Sequence, residues 1–192
     1  MKAEGESQLI EQARRGEIEA FMELVKKYEH RIFQLTYRLS GNREDAADLA
    51  QETFLQAFRA IKDFRGNSSF HTWLHRIAVN RSLNFLKRHN REKSYRDEAG
   101  QIDENSGRGR QKAELKVASP EDSSLSEEFR AGLKKAIEEL PPAFRATFSL
   151  VVGQEMSHKE AAEVLGCSEG TVSWRMHEAR KMLKKKLQPF LT

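Results

Sequence analysis

The sequence predicts an all-α chain of two small helical domains joined by a flexible linker. Three observations carry that prediction. Apolar residues recur three and four apart along nearly every structured segment, and none alternates as a half-buried strand would. Residues that cap helices bracket those segments. Between residues 92 and 124 apolar residues almost vanish, and Gly100, Gly107, Gly109 and Pro120 sit among Ser, Asp, Glu, Arg and Lys. Such a stretch cannot bury enough surface to offset the entropy of ordering it. The expected units are therefore 1–91 and 125–192, with 92–124 as the linker.

Each element follows from its own residues. A first short helix runs from Ser7, a possible cap, to Arg15, with Gly16 as its stop. A second covers Glu17 to Leu39 with an apolar stripe of Phe21, Leu24, Val25, Tyr28, Ile32, Leu35 and Leu39, and Gly41 ends it. Asn42 caps a third, whose first turn carries Glu44 and Asp45, carboxylates that suit the positive end of a helix dipole. Its buried face is expected to hold Ala47, Ala50, Phe54, Phe58 and Ile61. Residues 64–69 have turn chemistry, and Ser69 caps a fourth helix reaching about Arg91. Helical spacing resumes with Leu125, Phe129, Leu133, Ile137 and Leu140. Pro141-Pro142 stops that helix and starts another containing Phe144, Phe148 and Val151. Ser157 and Glu160 have capping-box spacing. Gly166 closes that short helix, and Ser168 caps the last, which runs to about Leu187.

Composition narrows the function. Of 192 residues 38% are hydrophobic and 32% charged, with a formal net charge of +4. That is too polar for one large core, and too mildly basic to prove nucleic-acid binding. The distribution says more. Arg59, Lys62, Arg65, Arg76, Arg81, Lys87, Arg88, Arg91 and Lys93 share their stretch with only Asp63 and Glu92; Arg175, Arg180, Lys181 and Lys184 to Lys186 share theirs with Glu178. Two basic blocks suit two contacts with a polyanion. The single cysteine, Cys167, allows no intramolecular disulfide and fits a reducing compartment. The N-terminus lacks a signal peptide's apolar core. No apolar run approaches the ~20 residues of a membrane span. The expected location is cytoplasmic. His30, His71, His75, His89, His158 and His177 show no metal-ligand spacing. No phosphate-binding glycine loop or nucleophile–base pair stands out. No catalytic residue, metal or cofactor is expected.

The strongest motif spans Ser157 to Leu183. A capped short helix, a Gly166-Cys167-Ser168 turn and a longer helix burying Val172, Met176, Ala179 and Leu183 make a helix-turn-helix, whose second helix enters the DNA major groove. The candidate reading residues are Ser168, Gly170, Thr171, Ser173, Trp174, Arg175, His177, Glu178 and Lys181, with Lys184 to Lys186 placed for phosphates. The fourth helix is two-faced. Phe70, Leu74, Ile77, Ala78 and Phe85 point one way. Arg76, Asn80, Asn84, Lys87 and Arg91 form the opposite stripe, with Trp73 at its edge. Unpaired bases stack on such an aromatic and hydrogen-bond to such amides, although a half-buried core tryptophan under a solvated face fits as well.

Four motifs in order resemble the extracytoplasmic-function sigma factors of the sigma-70 family, most of all their envelope-stress branch. They are Asp45-Ala-Ala-Asp48-Leu-Ala-Gln51-Glu52-Thr-Phe54, the run from Phe64-Arg-Gly to Asn80, Leu140-Pro141-Pro142, and Gly170-Thr171-Val172 with Ala179-Arg180. The resemblance implies that Asp45, Asp48, Gln51 and Glu52 grip a coiled coil on the largest subunits of core RNA polymerase. It implies that Phe64, Asn67, Ser68, Phe70, Trp73, Arg76, Asn80, Asn84 and Lys87 hold the displaced strand of the −10 element, one base flipped into the loop at the usual unstacking cost of a few kcal/mol. The helix-turn-helix would read the −35 element of promoter DNA. An anti-sigma factor, often at the inner membrane face, would restrain the protein. One departure stands out: many relatives place bases on the recognition helix where this chain has Ser173, Trp174 and Glu178. A plain helix-turn-helix regulator explains the C-terminal half equally well, but not the acidic face around Asp48.

Overall fold

The computed structural model describes residues 2–98 and 127–190, and the side chains of 5–92 and 127–190. Among the described residues there are eight α-helices and no strand: α1 (Lys2–Arg14), α2 (Ile18–Ser40), α3 (Arg43–Ala60), α4 (Phe70–Glu98), α5 (Glu127–Glu138), α6 (Pro142–Val151), α7 (His158–Leu165) and α8 (Glu169–Leu187). Single 3-10 turns follow α3 at Ile61–Asp63 and α8 at Gln188–Phe190.

Local chemistry sets the boundaries. Asn42 Oδ1 accepts from the Glu44 and Asp45 amides at 2.7 and 3.4 Å and starts α3. Ser69 Oγ accepts from the Thr72 amide at 3.0 Å and starts α4. Gly41 ends α2 at φ 77°, a left-handed conformation that costs a side-chain-bearing residue strain. Two ends differ from expectation. α1 begins at Lys2, so Ser7 lies inside it and not at its cap. Glu6 fastens α1 to α2 by accepting from the Tyr28 hydroxyl at 2.9 Å and pairing with Lys27. α4 runs past Arg91 to Glu98, so the linker expected from residue 92 begins as helix; the rest of that stretch, up to Ser126, lies outside the described residues.

The buried face of α3 is also rotated from the expected one. Ala46, Leu49, Ala50, Thr53 and Ala57 are buried between α2 and α4, whereas Ala47 and Phe58 are exposed. Small residues win the inner position because the helices approach closely there: the buried Thr36 hydroxyl of α2 reaches the Ala46 carbonyl at 2.9 Å.

The two predicted units meet face to face. One continuous core joins Leu24, Ile32, Leu35 and Leu74 of the N-terminal half to Ala146, Leu150, Met156 and Val164 of the C-terminal half. α6 is apolar on two sides. Ala146 and Leu150 belong to that shared core, while Phe144 and Phe148 also pack against a second cluster of Ala136, Leu140, Ala179 and Leu183. Polar contacts follow the same seam. Gln154 Nε2 donates to the Arg31 carbonyl at 3.1 Å, Arg76 donates to the Glu163 carbonyl at 2.6 Å, and Lys134 donates to the Tyr37 hydroxyl at 2.6 Å.

Candidate nucleic-acid interface

The loop before α4 is built on aromatic packing. Gly66 turns it at φ 73°. Phe64 and Phe70 are buried, with ring centroids 5.9 Å apart, and Trp73 lies 5.1 Å from the first and 5.4 Å from the second. Phe64 and Phe70, expected to touch DNA, instead form the floor beneath a half-buried Trp73. Asn67 is exposed and Ser68 half-exposed at the turn. Along α4, Arg76, Asn80, Asn84, Lys87 and Arg91 are all exposed, so the stripe expected from spacing is physically continuous. At its N-terminal end Arg76 is engaged by α7 through Glu163.

On α3, Asp48, Gln51 and Glu52 are exposed and Asp45 is half-buried. Burial raises the Asp45 carboxyl above its ordinary range, His89 opposes the shift, and Asp48 and Glu44 add to it. Glu52 is not a free acid: Arg81 of α4 donates to it at 2.7 Å and to Gln56 at 2.8 Å. Beside this acidic face lies an open, largely apolar groove lined by Val25, Phe33, Ala47, Ala50 and Phe54 together with Glu29 and His30; Leu55 and Phe58 of α3 are also exposed. A helix offering exposed carboxylates next to an apolar groove suits an amphipathic, basic helical partner.

The helix-turn-helix is formed as its spacing predicts. Ser157 and Glu160 make a reciprocal capping box on α7, and its hydrogen bonds hold the Glu160 carboxyl below its ordinary range. Gly166 turns at φ 63°, and Ser168 Oγ accepts from the Thr171 amide at 3.1 Å to start α8. Val172, Met176, Ala179 and Leu183 are buried. Ser168, Gly170, Ser173, Trp174, His177 and Lys181 are exposed, and Thr171, Arg175 and Glu178 are half-buried. Two expected readers are engaged within the protein: the Ser173 hydroxyl bonds His158 at 2.9 Å, and Arg175 turns back toward Cys167 Sγ at 4.0 Å.

Sequence reasoning missed the polar groups inside the seam between the halves. His75 of α4 is fully buried. Its Nδ1 lies 2.7 Å from the His71 carbonyl and its Nε2 3.3 Å from Gln154 Oε1. Burial, then the neighbouring His71, pulls its pKa down to about 4, against the two oxygen acceptors and with a small further push from Arg31. His71 is lowered by burial and by Arg31, with Glu160 and Glu6 opposing. Arg38 is lowered by burial and lies against Gly153, where an added Cβ would come within 2.0 Å of its guanidinium. The one signal in the sequence was the i, i+4 spacing of His71 and His75 beside the apolar face of α4.

Comparison with known proteins gives the class. The Sigma-70 region 2 family model matches residues 24–92, and the Sigma-70 region 4 model matches 130–183. The RNA polymerase sigma-H factor of Pseudomonas aeruginosa is 37% identical over 188 residues, 98% of this chain and 96% of that protein. The ECF RNA polymerase sigma-E factor of Escherichia coli K12 is 36% identical over 183 residues, 95% of this chain and 94% of that protein. The fold is shared with CnrH, solved with the cytosolic domain of CnrY (TM-score 0.68, 24% identity, 96% of this chain and 98% of that one). It is shared also with RpoE of Bartonella quintana, solved with the anti-sigma factor NepR (TM-score 0.65, 23% identity, 88% and 96%). The two family matches, with relatives that align over nearly the whole chain, define a promoter-directing transcription initiation factor. The chain belongs to the extracytoplasmic-function sigma factors of the sigma-70 family, whose work is to bind core RNA polymerase and promoter DNA in stress-related transcription.

Proposed function

We propose that this factor divides its work between its two halves. Asp48 and Gln51, with Asp45 and Glu52 behind them, hold core polymerase. Trp73, Asn67, Ser68, Arg76, Asn80, Asn84 and Lys87 hold the melted strand of the −10 element, with Phe64 and Phe70 shaping the loop from below. The exposed face of α8 reads the −35 duplex. The units are residues 1–91 and 125–192, with 92–124 between them. The observation that carries this reading is the pairing of two outward, basic, aromatic-bearing helices, α4 and α8, in different halves of one chain.

The work is recognition and strand capture, and the protein contributes no catalytic residue to it. As a partner of core RNA polymerase it works in the cytoplasm; among the described residues no helix is long and apolar enough to cross a membrane. CnrH and RpoE were each solved with a bound regulator; a small anti-sigma protein restrains this chain in the same way. Distance adds a requirement. The −10 and −35 elements lie about 25 base pairs apart, about 85 Å at about 3.4 Å per pair. A compact chain of this length is only about 40 Å across. The closed packing of the halves must therefore open before both elements are held.

Transcription in vitro with core polymerase, on a promoter library and with or without this chain, tests the reading. Discrete starts that require both components are expected. Sequence-specific duplex binding without polymerase, and no chain-dependent starts, would instead establish a plain helix-turn-helix regulator.

A further inference from the structure

We propose that Trp174 selects thymine in the upstream promoter element, by packing on the thymine methyl group. This rests on the reading of α7 and α8 as the duplex-reading device. In the major groove, guanine is most often read by a bidentate arginine. The first two turns of α8 offer none: Arg175 is half-buried and points toward Cys167, and Ser173 is held by His158. What stands outward there is Glu169, Gly170, the His158-bound Ser173 and Trp174, with His177 just beyond. Trp174 is 57% exposed, opposite the buried row of Val172, Met176, Ala179 and Leu183.

Its ring is also braced. It meets Phe144 of α6 at 5.5 Å with the planes tilted 55°. An indole held this way offers an apolar edge and one N–H donor, with no acceptor. Of the four bases, thymine presents the matching pair in the major groove, a C5-methyl and the O4 acceptor, while cytosine presents a donor where the indole also donates. Gly170, one turn earlier on the same face, carries no side chain to keep a base edge from the ring; even an added Cβ would meet only Ser168 Oγ, at 3.8 Å.

The experiment uses the holoenzyme formed with this chain. A preferred upstream element is first selected from a randomised duplex. Each thymine in it is then replaced by deoxyuridine, which removes only the methyl group. For the wild-type chain, binding should fall about fourfold at one position, the worth of one buried methyl. Trp174→Ala should bind more weakly overall and lose that sensitivity, whereas Trp174→Phe should keep it, since a phenyl ring still meets the methyl. Wild-type insensitivity to deoxyuridine at every position, with sequence preference intact, overturns the assignment of Trp174 and leaves the helix-turn-helix reading standing. Equal deoxyuridine sensitivity in Trp174→Ala overturns it too. Loss of all upstream sequence preference in the wild type would overturn the duplex-reading role itself, and the proposal with it.

Discussion

Acidification should open the protein. In the closed form His75 is buried in the seam, with a pKa near 4 in place of the ordinary 6.5. Once the halves separate, the ring regains water and its ordinary affinity for a proton. The open form therefore binds more protons than the closed one between those values, and closure is lost as pH falls through that window. From about pH 7.5 to about pH 5.5 the linkage relation gives about 1.4 kcal/mol from His75, close to a tenfold rise in the open-to-closed ratio. His71, lowered in the same sense by burial, adds to it. The facing groups are the His71 ring and Arg31 of α2, which disfavour the charged ring, and the His71 carbonyl and Gln154 side-chain oxygens, which favour it. Single-molecule energy transfer can count the two states. Dyes would sit on cysteines placed at the exposed positions Arg59 and Lys184, in a Cys167→Ser background. The ratio should rise about tenfold in the wild-type chain and far less in His75→Asn, which cannot titrate. An equal rise in both chains, or none in the wild type, would refute a histidine-controlled seam.

Three further outcomes follow from the geometry. Asp48→Ala with Gln51→Ala should weaken binding to core polymerase while shifting the urea midpoint by no more than about 0.5 kcal/mol allows, since both groups are exposed; unchanged core affinity would rule out this face. Trp73→Ala should slow strand opening more than initial duplex binding, by the about 1–3 kcal/mol of a lost base stack; an equal effect on both steps would make Trp73 a packing residue only. Ser157→Ala removes the α7 capping box and should cost about 1 kcal/mol in thermal or urea unfolding, and a neutral result would mean that the seam, and not the cap, holds α7.

The parts legible in the sequence were those written in neighbouring residues. Asn42, Ser69, Ser157 and Ser168 each bond amides two or three residues on, so spacing alone located the starts of α3, α4, α7 and α8. The apolar row of α8 was legible for the same reason. The inner face of α3 was not, because Ala46, Ala47, Leu49, Ala50, Phe54, Ala57 and Phe58 form an apolar arc wider than the strip that is buried, and only the partner helices decide which part of it closes. Phe64 and Phe70 looked like contact residues because the motif carrying them is a contact motif, yet their rings are needed to support Trp73. The seam itself lay beyond local reasoning. Gln154 finds its acceptor 123 residues away in the Arg31 carbonyl, and Arg76 finds one 87 residues away in Glu163. A polar residue gives no sign in sequence of a distant carbonyl waiting for it. The far end of α4, past Arg91, has no apolar stripe, so nothing marked it as helix.

The bond from Arg76 to the Glu163 carbonyl ties recognition to closure in both directions. While Glu163 holds it, the Nη2 group of Arg76 donates to the seam and not to the nucleic acid. Coupling between two binding events is reciprocal: the factor by which the first weakens the second is the factor by which the second weakens the first. If Arg76 must leave Glu163 to meet the promoter, then promoter DNA is itself a ligand of the open form, and whatever closure takes from DNA affinity, bound DNA takes from closure. Any regulator that binds across the seam would then lower promoter affinity without touching a DNA-reading residue, and DNA held by the holoenzyme would by the same factor expel the regulator.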